Sequence, residues 1–154
     1  PHLAKTVGDE PTTDPNPMPD IVLRDPKFWD YSNFGMEQVL HGPRGTAAKV
    51  GATAAYRIAG KSGTAQVVAI KQGEKYDRSK LNERHRDHAL FVAFAPADNP
   101  QIAVAVMVEN GESGSGVGAP IVKQVLDSWL LDDTGQLKAE YRLPSQVATQ
   151  SPSP

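Results

Sequence analysis

Lys61-Ser62-Gly63-Thr64, followed by Ala65-Gln66 and the apolar pair Val67-Val68, sets a cation, two hydroxyls and a residue without a side chain in succession. These groups offer hydrogen-bond donors and a positive charge. If the segment is a strand, alternation sends Ser62 and Thr64 to one face and Lys61 and Gly63 to the other. The arrangement costs stability, because polar groups in a strand that otherwise reads as buried need partners. Glycine weakens a strand interior, yet lets a ligand or another backbone come close. A function is the reason to tolerate that cost. The residue that would carry out covalent chemistry is missing.

The elements around this stretch can be read from pattern. Residues 57–68 are expected to form its strand. Upstream, Asp25-Pro26 opens a helix with a capping acid and a proline at the first helical position. Trp29, Met36 and Leu40 recur along it at near-helical spacing, and Gly42-Pro43 ends it. A strand-like piece at residues 3–7 precedes residues 9–20, whose four prolines predict an extended surface connection. Residues 45–51 form a second short helical or looped piece.

Downstream, residues 71–87 are charged and predict a surface insertion. His88–Ala95 and Ile102–Val108 are apolar on both faces, as strands in the middle of a sheet covered on two sides would be. Pro96-Ala97-Asp98-Asn99-Pro100 between them suits a hairpin, so the pair should be antiparallel. Residues 109–118 are rich in glycine and serine and read as a flexible connection; they hold neither of the glycine arrays that cradle phosphate. Ala119-Pro120 then starts a helix with Ile121, Val125 and Trp129 on one stripe and Val122 and Leu126 beside it. Trp29 and Trp129 are expected in the core. Residues 144–154 are expected to be a flexible tail.

Composition narrows the function without choosing it. Of 154 residues, 39% are hydrophobic and 22% charged, and the net charge of −2 argues against nucleic acid as a partner. There is no cysteine, hence no disulfide framework or thiolate metal site. The group Glu83, His85, Asp87 and His88 does not suggest a metal, since histidines three apart entering a strand point away from each other. It reads instead as a hydrogen-bonded turn where the insertion re-enters the sheet. No metal or cofactor is expected. No apolar run approaches the roughly 18–20 residues of a membrane span, and the first residues are not a signal peptide. Three strands and two long helices leave an α+β sheet incompletely covered, so a substantial further segment is expected, most simply from the same polypeptide.

In this order of elements, Lys61-Ser62-Gly63-Thr64 resembles the third motif of the penicillin-recognising serine acyltransferases, which also use a Ser-x-x-Lys nucleophile motif and a Ser-x-Asn motif. Phe91-Val92-Ala93-Phe94-Ala95-Pro96, Pro100 and the helix from Ala119 follow in the family's order. Ala59 to Gln66, Arg86-Asp87-His88 and Val108-Glu109-Asn110-Gly111 are most similar to the class B, penicillin-binding-protein-2 branch that serves cell elongation. The resemblance implies that residues 1–143 are the C-terminal portion of a partial penicillin-binding/β-lactamase-like transpeptidase fold, with the third-motif strand and a two-strand hairpin in one antiparallel sheet.

It further implies a peptidoglycan D,D-transpeptidase that acts through an acyl-serine, is inhibited by β-lactams, and stands on the periplasmic face of the inner membrane with its anchor outside this chain. Its partners would be peptidoglycan stem peptides, a membrane glycosyltransferase of the elongation machinery and the remainder of the polypeptide. By the family pattern the Thr64 N–H would face the oxyanion, and the Ser62 and Thr64 hydroxyls would hold the peptide's carboxylate. Lys61 would raise the local potential and help relay a proton, and Gly63 would allow close approach of the nucleophile-bearing helix. Tyr31-Ser32-Asn33 and Thr46-Ala47-Ala48-Lys49 resemble the second and first motifs but lack their structural context. The nucleophile serine is therefore read as absent, and this piece alone as inactive. A serine β-lactamase or D,D-carboxypeptidase, and a non-catalytic β-lactam sensor, remain alternatives.

Overall fold

A computed structural model of the chain describes residues 6–8, 10–11, 19–69, 73, 77, 79 and 81–143. Its centre is a three-stranded antiparallel sheet of β3 (Ala59–Ala65), β4 (His88–Ala95) and β5 (Ile102–Val108), in that order. At the chain's start, β1 (Thr6–Val7) pairs antiparallel with β2 (Glu10–Pro11), so the predicted connection over 9–20 begins with a paired strand. Residues 12–18, much of the first half of the predicted insertion and the tail at 144–154 lie outside the described residues.

Helix α1 (Lys27–His41) begins where the sequence predicts, with Lys27 N–H donating to Asp25 Oδ1 at 2.9 Å. The short α2 (Ala48–Gly51) follows. The motif strand is shorter than its apolar pattern: it starts at Ala59, and Ile58 N–H, just before it, donates to His41 Nε2 at 2.9 Å. Beyond Ala65 the chain leaves the sheet.

Register assigns the faces, because directly opposed residues share one. Gly60, Ser62 and Thr64 lie opposite Ala93, Phe91 and Ala89, which in turn oppose Val104, Val106 and Val108. On this face sits the core. Phe91, Ala93 and Ala95 pack with Ile58, Leu40 and Tyr56 and with Ala119, Val122, Leu126 and Leu130 of α3 (Ala119–Leu130). Tyr56 is buried, and its hydroxyl donates to Asp127 Oδ1 of α3 at 2.8 Å. Burial, and then this bond, push the phenol well above its ordinary value.

Three expectations are corrected. Helix α3 buries Ala119, Val122, Leu126 and Leu130, while the predicted stripe of Ile121, Val125 and Trp129 faces outward, with Trp129 54% exposed. Both stripes are apolar and equally helical in spacing, so the sequence does not rank them; contact with Phe91 does. In α1 only Leu40 is buried, and Trp29 is 57% exposed, because the helix packs on β3 through its C-terminal end, where Leu40 reaches the sheet at Gly60. Finally, β5 is an edge strand among the described residues rather than a strand in the middle of the sheet; the described residues cover one face, as the incomplete set of elements implies. On the other, Val92 is 44% and Met107 61% exposed, beside a shallow apolar cavity of about 340 Å³ lined by Met36, Phe94, Ala103 and Ala105.

Candidate functional site

Within the described residues β3 has β4 as its sole sheet neighbour, so half of its backbone N–H and C=O groups face outward along an open edge. The four motif residues all lie on this strand. Ser62 is half-buried and Thr64 exposed, on the face that carries the core further along; neither is enclosed in the hydrophobic interior. Lys61 is exposed on the opposite face, and its Nζ donates to the Ser62 carbonyl at 2.6 Å. The ammonium therefore rests against the strand's own backbone. Gly63 shares that face, where an added Cβ would come 3.3 Å from Leu90 Cβ.

Tyr31-Ser32-Asn33 falls inside α1 with Ser32 exposed, and Thr46 and Lys49 are both exposed around α2. A cavity of about 640 Å³ opens at the other end of β3 among His41, Tyr56, Arg57, Asp98 and Arg142; no motif residue lines it. Beside it, Arg57 Nε meets Glu37 Oε2 at 2.6 Å. Burial, and next the Arg57 guanidinium, hold His41 below the usual histidine value against the opposing pull of Glu37. A neutral ring suits the acceptor role of its Nε2 toward Ile58.

The segment after β5 departs most from its sequence reading. Gly114–Gly118 is a π-helical turn rather than a flexible connection, with Gly114 and Gly118 buried. A Cβ at Gly118 would lie 2.9 Å from Phe91 Cβ. At Gly114 it would meet the Leu90 carbonyl oxygen and stand 2.6 Å from Gly63 O and 3.1 Å from Gly63 N. The turn is thus seated against the motif strand itself. Repeated glycine reads as flexibility in the sequence; here it serves close approach. The signal that could have found it is the spacing of Gly114 and Gly118, four apart immediately before the Ala119-Pro120 helix start.

Polar contacts tie this segment to the entrance of β4. Asn110 N–H donates to His88 Nδ1 at 2.9 Å, Asn110 Nδ2 to the Arg86 carbonyl at 2.8 Å, and Glu112 N–H to the Asp87 carbonyl at 2.9 Å. Arg86 Nη1 and Glu112 Oε2 are 3.9 Å apart. Asn110 and Glu112 have φ of 56° and 60°, a left-handed conformation that costs on the order of 1 kcal/mol each for such residues. The hydrogen bonds offset that cost. The turn predicted around His85 to His88 is therefore present, and its partner is the loop after β5. His88 Nδ1 is engaged as an acceptor, and among the described residues no three His, Cys, Asp or Glu side chains gather as a metal site would need.

Comparison with known proteins places the chain in one family. The penicillin binding protein transpeptidase domain matches residues 1–127. The peptidoglycan D,D-transpeptidase MrdA of Haemophilus influenzae is 41% identical over 149 residues, 95% of this chain and 23% of that protein. Its namesake in Escherichia coli K12 is 43% identical over 139 residues, 86% of this chain and 21% of that protein. Among solved structures, Pseudomonas aeruginosa PBP2 in complex with WCK 5153 superposes with a TM-score of 0.74 at 67% identity, over 94% of this chain and 29% of that one. Helicobacter pylori PBP2, solved in a complex with MreC, gives a TM-score of 0.52 at 30% identity over 68% of this chain and 18% of that one. The chain spans less than a third of the length of any of these relatives. On this match, the chain belongs to the penicillin-binding protein transpeptidase domain family, with the α+β fold of that domain in part.

Proposed function

We propose that residues 1–143 are the C-terminal portion of the catalytic domain of an elongation-type peptidoglycan D,D-transpeptidase. The observation that carries the proposal is the exposed edge strand bearing Lys61, Ser62, Gly63 and Thr64, within a chain related to proteins named for that activity. In the reaction, a serine from another part of the polypeptide adds through Oγ to the carbonyl carbon of the penultimate D-alanine. The peptide C–N bond breaks, and terminal D-alanine leaves as an amine carrying the serine's proton. An amine on a neighbouring strand then takes the acyl group and returns a proton to the serine.

The Thr64 N–H stabilises the tetrahedral oxyanion in both halves, beside the serine's own N–H. Ser62 and Thr64 hydroxyls hold the substrate's terminal carboxylate, and Gly63 leaves room for the helix that brings the serine. Lys61, whose Nζ lies 2.6 Å from the Ser62 carbonyl, swings to the second-motif serine once that segment is in place and supports proton transfer. β-Lactams acylate the same serine by opening their ring amide. The setting is the periplasmic face of the inner membrane, with the anchor outside this chain. Partners are stem peptides and a membrane glycosyltransferase. MreC, which a relative's structure contains, is a further candidate.

The test uses the full-length protein with a fluorescent penicillin, and with a stem peptide plus an acceptor amine. The expected result is a covalent adduct and a cross-linked product. Hydrolysed peptide alone assigns the carboxypeptidase or β-lactamase alternative, a permanent adduct without product assigns the sensor, and no adduct overturns the acyl-serine reading.

A further inference from the structure

The motif strand is an edge, and an edge strand is held on one side only. Its catalytic use, which this inference takes from the proposed function, requires the Thr64 N–H to be fixed within a fraction of an ångström. Something must brace β3 from outside its ladder. The π-helical turn Gly114–Gly118 lies where such a brace would be, because Gly114 stands over the Gly63–Leu90 register pair, against the backbone of the residue that precedes Thr64.

We propose that Gly114 is a positioning residue: its bare α-carbon seats against the Gly63 peptide and sets the direction of the adjoining Thr64 N–H. Three features support this. The atoms a side chain at 114 would strike, Gly63 O at 2.6 Å, Gly63 N at 3.1 Å and the Leu90 carbonyl, are all backbone, so relief requires moving β3 or the turn. The brace is itself anchored, since residues 110 and 112 are bonded to the Arg86, Asp87 and His88 stretch that enters β4. The turn is closed internally too: Ser113 Oγ accepts from Gly116 N–H at 3.0 Å, and Val117 N–H donates to the Ser113 carbonyl at 2.8 Å. Two strands and a rigid turn therefore meet at one peptide of the motif.

The experiment measures penicillin acylation in the full-length protein, separating non-covalent binding, the acylation rate constant and the fraction of molecules labelled. Gly114→Ala is expected to acylate about 10- to 100-fold more slowly at near-normal non-covalent affinity, and to deacylate more slowly as well, because both steps pass through the same oxyanion. A purely structural defect would lower the labelled fraction and leave the rates of surviving molecules unchanged. Gly35→Ala is the control, since a Cβ there, on α1, would meet nothing within 4 Å, and should acylate at the wild-type rate.

If Gly114→Ala does not fold, Asn110→Ala, which removes the bond from Nδ2 to the Arg86 carbonyl, is read by the same rates and should be about 10-fold slower. Wild-type rates in Gly114→Ala, or in Asn110→Ala where that variant is the one read, overturn the proposal. A wild-type protein that forms no adduct overturns the transpeptidase reading beneath it, an outcome visible before any variant is made.

Discussion

At the scale of single residues, the motif sets Lys61 and Gly63 on one face of β3 and Ser62 and Thr64 on the other. Lys61 is exposed and bonded only to its own strand's backbone in the described contacts, so its removal should disturb chemistry rather than folding. Lys61→Ala in the full-length protein should slow acylation about 100-fold or more while leaving the melting temperature nearly unchanged, since proton-transfer groups contribute about 10² to 10⁴ in rate. Unchanged labelling kinetics would remove its assigned role. His41 offers a test by pH. Its folded value is depressed, so the unfolded chain binds the proton first as pH falls. The stability it contributes is complete above the ordinary histidine value near 6.5 and is lost as pH drops through and below it. Melting curves between pH 8 and 5 should therefore show a steeper loss for wild type than for His41→Gln; equal slopes would contradict the acceptor role toward Ile58.

At the scale of elements, the sheet and α3 form one packing unit. Leu126 is fully buried against the Phe91 face, and Leu126→Ala should cost about 2–5 kcal/mol in chemical or thermal unfolding. Tyr56 ties the approach to β3 onto α3 through Asp127, which also meets Lys123 Nζ at 2.5 Å. Tyr56→Phe keeps the ring and removes the bond, so a smaller loss of about 1–2 kcal/mol is expected by the same measurement. Existence and order of these elements were legible: the two-faced apolar runs became β4 and β5, and the proline-bounded loop joined them antiparallel. Which helical stripe turned inward was not legible, since Val122 and Leu126 on one side and Val125 and Trp129 on the other satisfy the same periodicity.

For the whole molecule, the sheet face that the described residues leave uncovered governs behaviour. Val92 and Met107 on that face, and Ile121, Val125 and Trp129 on the outer side of α3, present two separate apolar surfaces, and exposed apolar patches promote association. Produced alone, the 154-residue chain should self-associate in size-exclusion chromatography and show no covalent penicillin labelling. The full-length protein should label and remain dispersed. A monomeric, labelling-competent short chain would contradict both the missing nucleophile and the need for further cover.

The sequence by itself determined which side chains the motif strand carries and the ladder that holds it. Side-chain type and period-two alternation are local properties, so Lys61 to Thr64, their two faces and the hairpin behind them could be read from order alone. Tertiary structure decided what depends on contacts distant in the chain. Trp29 and Trp129 lie at the surface because packing at Leu40 and Phe91 turned their helices the other way, and the glycines at 114 and 118 became a fixed seat because β3 and β4 pass within van der Waals reach. Glycine's lack of a side chain permits both mobility and close approach, and only the neighbouring backbone selects between them.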